Sequence, residues 1–136
     1  INLPIQRTNS RPVYYMYQMR YKESIVGVSR ERFAEALAAE GFPTFSGYVK
    51  PLYFLPVFQN KIAIGNHGWP FKRNIGILSL INKKISYKKG ICPIAERLHE
   101  KELMGFDCCC LKINKNDLEG LSRAFKKVYE NRNQLK

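Results

Sequence analysis

The chain is short of acid, histidine and long apolar runs, and each shortage removes a class of protein. Its longest apolar stretch, Ile75 to Ile81 (IGILSLI), is seven residues, against about 20 for a membrane-spanning helix. A domain without a membrane anchor is therefore expected. The two histidines, His67 and His99, have no second His, Cys or carboxylate at a recognised metal spacing, so no metal centre is expected. Of four cysteines, Cys108, Cys109 and Cys110 are consecutive and Cys92 stands alone. That is neither the dispersed even set of a secreted disulfide scaffold nor a paired CxxC, and it points to small buried hydrophobes in a reducing cytoplasm. GxGxxG, a Walker-type lysine loop and a nucleophile set beside a base are all missing. No autonomous active site follows, and no catalytic residue is expected within these residues.

What is present is an ordinary globular composition. The chain has 136 residues, 45% hydrophobic and 25% charged, the size of one domain with a real core. Lys plus Arg is 23 against 11 for Asp plus Glu, a net charge of +12. Such an excess raises nucleic acid, anionic membrane and acidic ligands as partners without choosing among them. Residues Ile1 to Pro12 read as a polar connector, and with Ile rather than Met at position 1 a cut fragment is expected. The domain proper would run from Val13 to Lys136.

Period-two alternation with aromatic enrichment predicts a strand over Val13–Tyr21. Ser29 as cap, Glu31 in the first turn and the stripe Phe33, Ala34, Leu37, Ala38 predict a helix that Gly41 ends. Thr44–Tyr48 reads as a short strand, followed by the proline-punctuated aromatic loop Lys50–Phe58. Residues 60–90 carry no sustained period but hold four glycines, one Trp and three basic pairs, so a basic loop is expected there. Pro93 at a first helical position, with Ile94, Ala95 and Leu98 on one face, predicts a helix over Pro93–Met104 that Gly105 stops. Alternation predicts a strand over Asp107–Ile113. Asn114 or Asn116 then caps a last helix carrying Leu118, Leu121, Phe125, Val128 and Leu135. The order predicts an α+β fold: a short, mostly antiparallel sheet with helices on one face. Tyr14, Met16 and Gln18 on the first strand are too apolar for a solvent face, and that face or an edge is expected to meet a partner.

The pairs Lys72-Arg73, Lys83-Lys84 and Lys88-Lys89 flank Trp69, Phe71 and Tyr87, a mixture that could grip phosphate and stack on bases. One reading is thus a free-standing basic module that binds nucleic acid. Against it, the lysines are spread along an irregular loop, and no RNP-like, helix-turn-helix or finger pattern accompanies them.

Three segments in order carry a more specific signal: AEGFPTFSGYVKPLYFLPVF (Ala39–Phe58), GICPIAERLHEKEL (Gly90–Leu103) and KNDLEGLSRAFKKVYENRNQL (Lys115–Leu135). Together they resemble the C-terminal region of sugar aminotransferases of the DegT/DnrJ type, in the branch of aminohydroxybenzoate synthase and the glutamine-dependent inosose aminotransferases. The resemblance covers nearly the whole chain from Val13 onward. It implies the small C-terminal domain of a fold type I enzyme dependent on pyridoxal phosphate, with the cofactor and its lysine held by an N-terminal domain outside these residues. It further implies a homodimer with active sites at the subunit interface, which transfers an amino group from an amino acid to a keto sugar or keto cyclitol. In that family the turn after the first helix commonly reads His-Tyr, two residues, then Pro-Leu-His, and approaches substrate. The matching positions are Gly47, Tyr48, Pro51, Leu52 and Tyr53. Tyr48 and Tyr53 are the implied substrate-binding residues, since a phenol is a donor and acceptor on a rigid ring. Gly47 and Tyr53 replace the two histidines. Pro93, Ala95 and Glu96 match the family's helix start and read as structural.

Overall fold

A computed structural model of the chain describes residues 1–62, 64, 69, 86–109 and 112–136. They divide into two compact units, one of Ile1–Tyr48 with Leu98–Lys136 and one of Val49–Arg97.

The first unit is an α+β fold around a three-stranded antiparallel sheet of order β1-β3-β2. β1 is Met16–Arg20, β2 Phe45–Ser46 and β3 Leu103–Asp107. Tyr17 faces Phe106 and Met19 faces Met104 across β1 and β3, so these side chains share one face. A short helix α1 (Glu23–Val26) leads to α2 (Arg30–Ala39), and α5 (Lys115–Glu130) closes the unit. Helices α2 and α5 cover that face, and Met19, Tyr21, Phe33, Leu37, Met104, Ala124 and Val128 form the core. Phe33 joins two rings, with centroids 5.4 Å from Tyr21 and 5.9 Å from Phe125.

Local chemistry sets the ends of both long helices. The Ser29 hydroxyl accepts from the Arg32 amide, and Asn114 and Asp117 form a reciprocal capping box that decides between the two candidate asparagines. Phe33, Ala34 and Leu37 are buried as the stripe requires, whereas Ala38 is exposed. The polar N-terminal segment also contributes: Asn2 and Arg20 exchange backbone hydrogen bonds of 2.8 and 2.9 Å, and Ile1 packs against the core. On the sheet's other face Met16 is half-buried and Gln18 is exposed, whereas Tyr14, ahead of β1, is half-buried with its ring 5.0 Å from that of Tyr17.

Between Pro93 and Ile113 the structure differs from the sequence reading. Helix α4 spans only Pro93–Arg97, a π-helical turn follows over Leu98–Glu102, and the strand begins at Leu103. Gly105 does not stop a helix. It lies mid-strand, where a Cβ would strike the Tyr17 carbonyl and come within 2.7 Å of the Phe45 ring. A strand glycine of this kind marks close backbone approach. The strand ends where the Asp107 carboxylate accepts from the Cys109 amide at 3.0 Å. Residues 110–111, part of the strand expected over Asp107–Ile113, lie outside the described residues.

In the second unit the aromatic segment after Val49 folds as a 3₁₀ turn (Leu52–Phe54) and a short helix α3 (Pro56–Gln59), with α4 at its far end. Much of the basic stretch, including Lys72-Arg73, Lys83-Lys84, Phe71 and His67, lies outside the described residues. Among the described residues no helix is long and apolar enough to cross a membrane.

Candidate functional site

The two tyrosines singled out by sequence belong to different units. Tyr48 closes the first chain segment of unit one, and Tyr53 lies near the start of unit two.

In unit one, Tyr48 follows Gly47, whose φ of +71° is a left-handed conformation suited to glycine. The Gly47 amide donates to the Leu103 carbonyl at 2.7 Å, which ties the turn to β3. A Cβ on Gly47 would come within 2.8 Å of the His99 carbonyl oxygen and 3.2 Å of its Nδ1. A side chain at position 47 would thus strike the His99 carbonyl first, with the imidazole in tight contact beside it. The Tyr48 amide points at His99 Nδ1 across 3.4 Å. The Tyr48 ring lies 6.2 Å from Phe45 and is 46% exposed, so its phenol can meet a ligand. Beside it, the Tyr48 hydroxyl, then Asp107, push the Tyr15 phenol above its ordinary value of 10.0.

The turn carrying His99 is braced from α2. Arg30 is buried, and its Nη1 donates to the carbonyls of His99 at 3.0 Å and Leu103 at 2.9 Å, while Nη2 reaches Glu100 O at 2.9 Å. A π-helical turn leaves carbonyls without the usual partners, and the guanidinium supplies them. Its charge is balanced by Glu31, 2.7 Å away. Burial works to raise the Glu31 carboxyl, but the hydrogen bonds from Arg30 outweigh it and hold the group below 4.5.

In unit two, the Tyr53 hydroxyl donates to Glu96 Oε1 at 2.6 Å. The Gly90 amide donates to the same carboxylate, 2.7 Å from Oε1 and 3.0 Å from Oε2. Glu96 is buried, and the Tyr53 hydroxyl first, with the backbone amides, pulls it below 4.5 against the desolvation that would raise it. Gln59 donates to the Tyr53 carbonyl and, at 2.7 Å, to that of Tyr87. Tyr53 and Glu96 thus join the loop after Val49 to the start of α4. The sequence marks Glu96 only as part of a helix start; no spacing rule connects it to Tyr53.

A wide apolar trough of about 1040 Å³ opens in unit one, with Leu3, Tyr17, Phe42, Phe106, Leu121 and Phe125 on its walls. Among the described residues no three His, Cys, Asp or Glu side chains gather as a metal site. Nor do the described residues fit pyridoxal phosphate. That group needs a lysine held within a pocket and a phosphate cradle, whereas Lys22 and Lys61 are only half-buried, the other described lysines are exposed, and the trough is apolar.

Compared with known proteins, the chain matches no family model, no curated protein and no solved structure.

Proposed function

We propose that this chain is the small domain of a cytoplasmic sugar aminotransferase dependent on pyridoxal phosphate, which transfers an amino group from an amino acid to a keto sugar or keto cyclitol. The observation that carries the reading is the bond between Tyr53 and Glu96. Two of the three segments that resemble the aminotransferases, Ala39–Phe58 and Gly90–Leu103, are far apart in sequence and meet through it. An α+β unit whose helices cover one sheet face also suits that role.

On this reading the cofactor and its lysine belong to an N-terminal domain outside these residues, and the enzyme is a homodimer. The cofactor would supply the electron sink. This chain's own part is to orient substrate, chiefly through the exposed Tyr48 phenol, which can donate to and accept from a hydroxylated ligand.

The test is the full-length protein. It should carry bound pyridoxal phosphate, trappable with borohydride, and transfer an amino group to a keto sugar. Tyr48→Phe should lower kcat/KM for the sugar several-fold, since a neutral hydrogen bond is worth about 0.5–1.5 kcal/mol. It should leave the melting temperature and the cofactor spectrum nearly unchanged. A coding sequence that starts just before Ile1, or a full-length protein that binds RNA or DNA and no pyridoxal phosphate, would overturn the reading in favour of a basic nucleic-acid-binding module.

A further inference from the structure

His99 lies outside the core cluster, yet its surroundings are specific. It lies on the π-helical turn Leu98–Glu102, half-buried. Its own carbonyl and those of Glu100 and Leu103 are held by the buried Arg30. The backbone under the ring is therefore fixed by three charge-assisted bonds and cannot drift. On the other side of the ring is the Gly47–Tyr48 turn. The Gly47 amide is anchored on Leu103 O at 2.7 Å, and the Tyr48 amide faces His99 Nδ1 at 3.4 Å. Glycine suits position 47 because its φ is +71° and a Cβ there would lie 2.8 Å from the His99 carbonyl oxygen, with Nδ1 and Cε1 in tight contact at 3.2 and 3.3 Å.

From this geometry we propose that His99 is the positioning residue of the Tyr48 turn. Its Nδ1 accepts the Tyr48 amide proton and sets where the Tyr48 phenol stands. An imidazole whose Nδ1 accepts can carry a proton only on Nε2. The chain of support runs from Arg30 through the π-helical turn to the imidazole, and from the imidazole to the Tyr48 backbone. The turn is thus held by a histidine distant in sequence, whose imidazole lies beside the Gly47–Tyr48 backbone. The effect on turnover rests on the aminotransferase reading of Tyr48; the contact itself does not.

Four forms of the full-length protein separate the possibilities: wild type, His99→Asn, His99→Gln and Gly47→Ala. Asn places its carbonyl oxygen close to the position of Nδ1, whereas Gln reaches toward Nε2. Hydrogen exchange at the Tyr48 amide is read first. His99→Asn should keep the wild-type protection within about twofold, while His99→Gln should lose about three- to tenfold, the range of one neutral hydrogen bond, and Gly47→Ala, which also strains a φ of +71° and crowds the His99 carbonyl, should lose at least as much. With keto sugar as substrate, KM should rise by a similar factor in His99→Gln and Gly47→Ala. In both, kcat should stay near wild type, and His99→Asn should restore KM. Equal behaviour of the Asn and Gln variants, or a wild-type Tyr48 amide that exchanges as fast as in an unstructured peptide, would overturn the proposal. If the wild type transfers no amino group, the aminotransferase reading fails, and the exchange measurement still decides the His99 contact.

Discussion

Substituting Gly105 with alanine tests the strand register on which both the π-helical turn and the Tyr48 turn depend. If Gly105 merely stopped a helix, alanine would extend it, and the change would cost little. In the β1–β3 ladder the outcome is opposite. The added Cβ collides with the Tyr17 carbonyl and lies 2.7 Å from the Phe45 ring and 3.1 Å from Gln18 Cα. Two of these neighbours, Tyr17 O and Gln18 Cα, are backbone atoms of β1 beside Gly105, and they cannot yield without disturbing the ladder. Phe45 is itself paired to Gly105 from β2, and the end of its ring would also have to turn aside. Overpacking costs roughly 1–3 kcal/mol when side chains can adjust. With rigid backbone on one side the cost should reach at least about 3 kcal/mol, well above the roughly 0.4–1 kcal/mol that alanine gains by restricting the unfolded chain. At about 4–8 °C per kcal/mol for a small domain, the melting temperature should fall by about 10 °C or more. Gly41→Ala is the control, because nothing lies within 4 Å of its Cβ and only its φ of +89° is strained. Thermal unfolding followed by circular dichroism reads both variants. A Gly105→Ala protein as stable as wild type would refute the β3 register.

Two pH dependences follow from the buried groups. Glu96 titrates below its ordinary 4.5 in the folded chain, so its contribution is present above that value and is lost as pH falls through the lower folded value. Exchange at the Gly90 amide should accelerate in that acid range in the wild type, and at a higher pH in Tyr53→Phe, which lacks the hydroxyl that stabilises the carboxylate; identical profiles would remove Tyr53 as the cause. Burial raises the Tyr21 phenol from 10.0 to about 12, so its contribution is complete below pH 10.0 and is lost as pH rises toward about 12. Tyr21→Phe should abolish that alkaline loss, yet be roughly 1–2 kcal/mol less stable at neutral pH in urea unfolding, because the buried Val28 carbonyl loses its 2.7 Å donor.

Sequence makes the two long helices legible because both their ends and their faces are written locally. Ser29 and the Asn114–Asp117 box act within one turn, and Phe33, Leu37, Ala124 and Val128 repeat at helical spacing. The passage from α4 to β3 is decided elsewhere. Ile94, Ala95 and Leu98 continue the helical period, and nothing nearby announces a break. Past α4 the carbonyls of His99, Glu100 and Leu103 are taken by Arg30, far upstream in sequence, and that of Glu102 by the Tyr21 amide at 2.6 Å. Period and punctuation see only neighbours, so Gly105 reads as a stop when its real constraint is the Tyr17 carbonyl across the sheet.

The same division runs through the candidate site. Tyr48 and Tyr53 stand out because they fall at motif positions, but their partners have no local signature. Glu96 lies 43 residues from Tyr53, and His99 lies 51 from Tyr48. A search of histidines for metal spacing asks for a second ligand and therefore passes over His99, whose role here is to accept one backbone proton. Reading such a residue from sequence would need the converse observation: a glycine where a side chain is expected, and a distant side chain able to use the space. Gly47 supplies the first half in the sequence itself, as a departure from the histidine of the resembling family. Only the fold supplies the second, by bringing the π-helical turn against it. A left-handed glycine beside an exposed tyrosine is therefore better treated as a question about which distant residue packs against the turn than as a plain bend.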